Sequence, residues 1–246
     1  GARPAYPFKY LEPYYSIDFL KQWLDQNADK FSGNMDHDFD NKLMNIVCAL
    51  QYQRDAWQDS NAGKAVAFIQ TDLLKRINPA TGLWGETDLS DDNLRSRVVQ
   101  FAYHLFPFYF FDNLYSFDFD KIERTVLNTQ NNFGGFGVAS NSSACEDIDS
   151  IDILLRISGS NENDHAAIDR SLDEAFRWVM ANQMADGGFV FRLNEKFVYG
   201  HAEMTGEKNQ GAVFPTWFRT LSLAYLCSYF NLPGNFKITR CPGYEF

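Results

Sequence analysis

Gln183-Met184-Ala185-Asp186-Gly187-Gly188-Phe189 decides the fold, because the chain carries this scheme three times. Gln130-Asn131-Asn132-Phe133-Gly134-Gly135-Phe136 and Asn78-Pro79-Ala80-Thr81-Gly82-Leu83-Trp84 repeat it: an amide residue, three more, a glycine, one residue and an aromatic. The glycines lie about fifty residues apart, a period at which each unit is too small to bury its apolar face alone. Glycine there allows φ > 0 and close backbone approach between helices, and the aromatic that follows can plug the gap between units.

The flanks of these turns read as helices. Residues 17–24 (Ile17, Leu20, Trp23, Leu24) and 43–50 (Leu43, Ile46, Val47, Leu50) carry three-and-four apolar spacing. Residues 122–127 and 172–180 do the same and run into the Gln of a turn. More apolar helices are expected after the turns, at 94–111, 147–157 and 216–230. Asp91, Asp92 and Asn93 are candidate caps for the first, Glu146 and Asp147 for the second. An outer amphipathic helix, a Gly-rich turn and an inner apolar helix thus recur about four times. The expected fold is all-α, an α/α toroid, partial or complete, of about four to five helical hairpins. A small β-hairpin insertion is predicted where residues 189–193 and 197–199 flank Asn194-Glu195-Lys196. The polar loop after it, 200–213, has the length of a lid or binding element.

Composition narrows the class. An unbroken repeat over 246 residues favours one toroid domain spanning 1–246, whether whole or a piece of a longer chain. With 45% apolar residues and 16% aromatics, a packed core is well supplied. A net charge of −10 argues against nucleic acid as partner. The longest uncharged apolar run, 98–111, is about fourteen residues with Gln100, His104 and Pro107 inside it, too short to span a bilayer. It reads as a buried helix, with peripheral membrane contact as the alternative. No secretory leader is legible. Cys48, Cys145, Cys227 and Cys241 form no CxxC pair, so a reducing, cytoplasmic setting is expected.

The repeated turns resemble the QW repeats of squalene and oxidosqualene cyclases, with related repeats in protein prenyltransferase β-subunits. Gln130/Gly134/Phe136 and Gln183/Gly187/Phe189 fit with Phe for Trp, and Asn78/Gly82/Trp84 with Asn for Gln. Pro215-Thr216-Trp217-Phe218-Arg219-Thr220 at an inner-helix start is similar to the same family. The likeness covers roughly residues 65–230. It implies a toroid whose inner-helix N-termini converge on a central cavity. It also implies that Asp147-Ile148-Asp149-Ser150 stands where class II terpene cyclases carry Asp-x-Asp-Asp. By that resemblance Asp149 is the proton donor, tuned by Asp147 and Glu146, with Ser150 in place of the family's last Asp.

The chemistry such a site demands can be stated. Protonating an alkene needs a protonated carboxyl shielded from water, and clustered acids beside an apolar cavity raise one another's pKa. Cation-stabilising walls are expected from Phe133, Phe136, Tyr103, Phe106, Trp217 and Phe218, and Arg95, Arg97 or Arg219 could clamp a diphosphate. The same acids occupy a first helical turn, where capping and the macrodipole favour them, so a purely local role is the alternative. Asp36, Asp38 and Asp40, with Asp91 and Asp92, precede other inner helices and would gather at the same mouth, a place for Mg²⁺, a cation or acid catalysis.

The prenyltransferase side of the resemblance implies Zn²⁺, for which Cys145, Asp147 and His201 are the right residue types in a reversed order. The leading expectation keeps no cofactor and no metal. It is an enzyme of isomerase or lyase type, cyclising an isoprenoid or similar apolar substrate, and an additional domain or a homo-oligomer is an open partner. Two readings compete: a non-catalytic repeat module holding a polypeptide, glycan or lipid on a concave face, and a carbohydrate-active toroid using an Asp/Glu pair.

Overall fold

The computed structural model describes residues 4–31, 37–85, 90–137, 139–160, 165–233 and 236. Asp36 and Cys241, and the side chain of Asp38, lie outside the described residues. The described chain is all-α: α1 Ile17–Gln26, α2 His37–Trp57, α3 Ser60–Leu74, α4 Asp92–Phe111, α5 Phe119–Leu127, α6 Ala144–Ser160, α7 Ala166–Ala181 and α8 Val213–Tyr229. Three 3-10 helices, Lys9–Tyr15, Ala28–Phe31 and Ala202–Met204, complete it. No described helix is long and apolar enough to cross a membrane. The chain divides into two compact units, residues 1–86, 104–117 and 238–246 in the first and 87–103 and 118–237 in the second.

In the first unit α2 and α3 form a hairpin whose second helix the sequence reading did not identify. The signal was Asp59, whose carboxylate caps α3 by accepting the N–H groups of Asn61 and Ala62 at 2.9 and 3.2 Å. Its other oxygen accepts the Tyr15 hydroxyl at 2.8 Å, tying the cap to the preceding 3-10 helix. Leu43, Val47 and Leu50 of α2 and Val66, Ile69 and Leu73 of α3 are buried. Asp112 accepts from Gln51, Gln70 and Arg54 and so gathers three polar side chains of this unit. Trp84 is fully buried, donates its indole N–H to the Leu73 carbonyl at 2.9 Å, and packs on Phe106, Tyr109 and Phe117.

The second unit contains the two full repeats. Gln130 pairs with Phe136 and Gln183 with Phe189 in single antiparallel bridges, and Gly134 and Gly187 sit at φ +91° and +87°. Each Gln side chain donates to the carbonyl of that glycine, at 2.8 and 3.1 Å. The repeated spacing is therefore a turn in which an amide caps a left-handed glycine. At the first turn the bridging residue is Ile77, which pairs with Trp84, so Asn78 is one position out of the expected register. Its true counterpart is Asn131. Both give their backbone N–H across the turn, both accept a backbone N–H two residues on, and both donate their amide to a later carbonyl. One extra residue before Gly82 accounts for the shift.

The β-hairpin expected over 189–199 is corrected. Phe197 bridges Gly206 instead, and the Asn209 side chain (φ 58°) accepts the Asn194 backbone N–H and donates to the Asn194 (φ 60°) side-chain oxygen. The register is set by this amide pair and by Lys196 reaching Glu207 at 2.5 Å, so the turn spans a longer segment than Asn194-Glu195-Lys196.

Candidate functional site

The acids at the start of α6 are held by neighbours, beginning with the cap. Ser143 and Glu146 form a reciprocal capping box. The Ser143 N–H donates to the Glu146 carboxylate at 2.7 Å, and the Glu146 N–H to the Ser143 hydroxyl at 3.2 Å. Arg192 then pairs with Glu146 at 2.8 Å. The Ser-x-x-Glu signature at 143–146 was present in the sequence and went unread.

Asp147 is buried and accepts four donors. One oxygen takes the Phe136 backbone N–H and the Ser142 hydroxyl, both at 2.8 Å; the other takes the Trp178 indole at 3.0 Å and the Arg219 guanidinium. Arg219, fully buried, also donates to the carbonyls of Ser142, Val190 and Phe191 and to the Asn182 side chain. Burial pushes the Asp147 carboxyl up and the Arg219 guanidinium down from their ordinary values, and each is the other's main electrostatic counterweight. With four donors around it, Asp147 is the ionised half of an internal ion pair.

This arrangement gives three of the expected site residues structural partners. The lone pairs of Asp147 are taken up by four donors. Arg219 is no diphosphate clamp, because its donors are spent on protein oxygens. Glu146 is a cap. Asp149 is buried on α6 beside Ser150, which is buried too. Burial, reinforced by Asp149 and Glu146, pushes the Cys145 thiol far above its ordinary range, away from thiolate chemistry. Among the described residues no group of His, Cys, Asp and Glu is placed to hold a metal, and Cys145, Asp147 and His201 do not converge. Three of the other acids have partners too. Asp91 caps α4 through the N–H groups of Asn93 and Leu94, Asp92 pairs with Arg95, and buried Asp40 meets His104 at 3.1 Å.

The aromatic residues expected to wall one cavity have different surroundings. Phe106 belongs to the first unit's core, Phe136 is fully buried at its turn, and Phe133 is 65% exposed beside Trp178. Tyr103 is half-buried on α4. Trp217 and Phe218 do come together, stacked at 4.8 Å, in a cluster the sequence reading did not assemble. Phe191 stacks on Phe197 at 4.5 Å and Tyr199 on Phe214 at 4.4 Å, while Phe214 meets Phe218 edge-on at 4.6 Å. Tyr199 and Trp217 are 46% and 52% exposed, which leaves the cluster open to solvent.

The segment bearing Tyr199 is built as a loop with a fixed neck. Asp186 accepts the N–H groups of both Gly188 and Gly211, at 3.0 and 2.9 Å, and Ala212 donates to the Phe189 carbonyl at 3.1 Å. A Cβ on Gly211 would meet the Gly188 Cα at 2.6 Å, so the two strands of the neck touch through glycine. Its first residues are pinned to the α6 entry. Asn141 exchanges side-chain hydrogen bonds with both backbone groups of Leu193, and Ala144 donates to the Phe191 carbonyl. Beyond that base, Val198, Tyr199, Gly200 and His201 are exposed.

The sequence matches no protein-family model and no curated protein. Among solved structures a polysaccharide lyase is similar, with a TM-score of 0.53 and 11% identity over 92% of this chain and 72% of that one. At that identity the likeness speaks for the fold, which is all-α and of the α/α-toroid class.

Proposed function

We propose that this chain is a carbohydrate-active α/α domain that engages polysaccharide through the loop at 190–211 and the start of α8. The observation that carries the reading is the solvent-open aromatic cluster of Tyr199, Phe214, Trp217 and Phe218 on a loop whose neck is clamped. Exposed aromatic rings on a fixed frame cost hydrophobic free energy unless a ligand covers them, and flat ring faces suit the C–H face of a sugar. The likeness to a polysaccharide lyase favours this class over isoprenoid cyclisation.

The test is affinity electrophoresis through gels holding neutral or acidic polysaccharides, with release of new chain ends assayed on the same polymers. Retarded migration in at least one polymer is expected. Unaltered migration in every polymer, with no new ends released, would sink the proposal.

A further inference from the structure

We infer that the aromatic corner on the loop and α8 takes a pyranose ring of an uncharged glycan and discriminates against polyanionic ones. This rests on the polysaccharide reading above and names its substrate class. The corner is made of two stacked pairs, Tyr199 on Phe214 at 21° and Trp217 on Phe218 at 14°. Phe214 stands at 86° to Phe218 and 82° to Trp217, so the two pairs meet nearly at a right angle. A flat ring can lie against one face of such a corner while the other bounds its edge, contacts that need no ligand charge.

The charges around the corner point the same way. Between Phe189 and Arg219 the cationic side chains are Arg192, Lys196, Lys208 and Arg219, with His201 beside them. Arg219 is buried on Asp147, Arg192 pairs with Glu146, and Lys196 pairs with Glu207. Lys208 is then outnumbered by the exposed carboxylates of Glu195 and Glu203. A polyuronate carries a carboxylate on every sugar, and each would approach a surface with no surplus positive charge, on a chain of net charge −10. Uncharged hydroxyls meet no such barrier, and the exposed amides of Asn194 and Asn209 lie on the same loop.

The experiment titrates the full chain with a soluble neutral glucan and with polygalacturonate, each at low and high sodium chloride. Binding to the neutral glucan is expected to change by less than about twofold with salt. Trp217→Ala and Tyr199→Ala should each weaken it about tenfold or more while circular dichroism stays unchanged. Lys208→Glu should leave it intact. Preferential binding of polygalacturonate that falls steeply with salt, or a loss of binding in Lys208→Glu, overturns the inference while leaving a polysaccharide ligand in place. Full binding by both aromatic variants overturns it too. Binding to no polymer overturns this inference and the functional reading together.

Discussion

The turns at Gln130–Phe136 and Gln183–Phe189 share a backbone and differ in what surrounds it. In both, the aromatic residue's N–H is received by a side chain from the first turns of the next helix: Asp147 at 2.8 Å in one, the Thr216 hydroxyl at 2.9 Å in the other. The separation is 11 positions in the first case and 27 in the second, so the third repeat carries the loop as an insertion between turn and helix. The comparison explains Asp147. It occupies a position whose repeated task is to hold the aromatic's backbone, and a neutral hydroxyl performs that task in its counterpart. What Asp147 adds is a charge, and that charge fixes Arg219, which in turn holds the carbonyls of Val190 and Phe191 at the root of the inserted loop.

The largest effect expected from breaking the comparison comes at that charge. Asp147→Asn should cost about 3–5 kcal/mol in urea unfolding, because Arg219 is left buried without its counterion. Replacing the pair by Asp147→Leu with Arg219→Met should recover part of the loss. A cost near 1 kcal/mol for the single variant would mean that the ion pair is not intact in solution.

The glycines come next. Gly187→Ala should cost about 1–2 kcal/mol for its left-handed backbone alone, since its Cβ would meet nothing within 4 Å. Gly134→Ala should cost at least about 1 kcal/mol more, because its Cβ would lie 2.5 Å from the Glu174 carbonyl oxygen. Equal midpoints for the two variants in thermal melts would contradict the different surroundings of the two turns. Smallest is Thr216→Val, which removes one neutral hydrogen bond and should cost about 1 kcal/mol, well below Asp147→Asn in the same assay.

Much of the architecture was legible because it rests on local rules. Gly134 and Gly187 needed φ > 0, and the Gln four residues earlier needed a carbonyl to cap, so spacing alone revealed the turns. The misalignment of Asn78 with Gln130 shows the limit of spacing. Only the bridge between Ile77 and Trp84 exposes the extra residue. The candidate site was less legible for a reason of the same kind. An acid at a helix start has identical sequence context whether it caps, pairs or catalyses, and the partners that decided the matter, Trp178, Asn182 and Arg219, lie 31 to 72 positions away or act through one another. The aromatic corner was hidden because Tyr199 lies within the inserted loop while Phe214, Trp217 and Phe218 lie on the helix after it, with a polar stretch between them.

The neck of that insertion has a consequence for how the molecule can vary. Gly188 and Gly211 touch, and one carboxylate, Asp186, holds both backbones, so the entry and exit of the loop are locked without reference to what lies between them. The outer part of the loop, beyond the residues held by Arg219, Ala144, Glu146 and Asn141, then behaves as an exchangeable cassette. A different run of residues could be grafted between Leu193 and Gly211 and present a different surface, while the helices beneath keep the same seats.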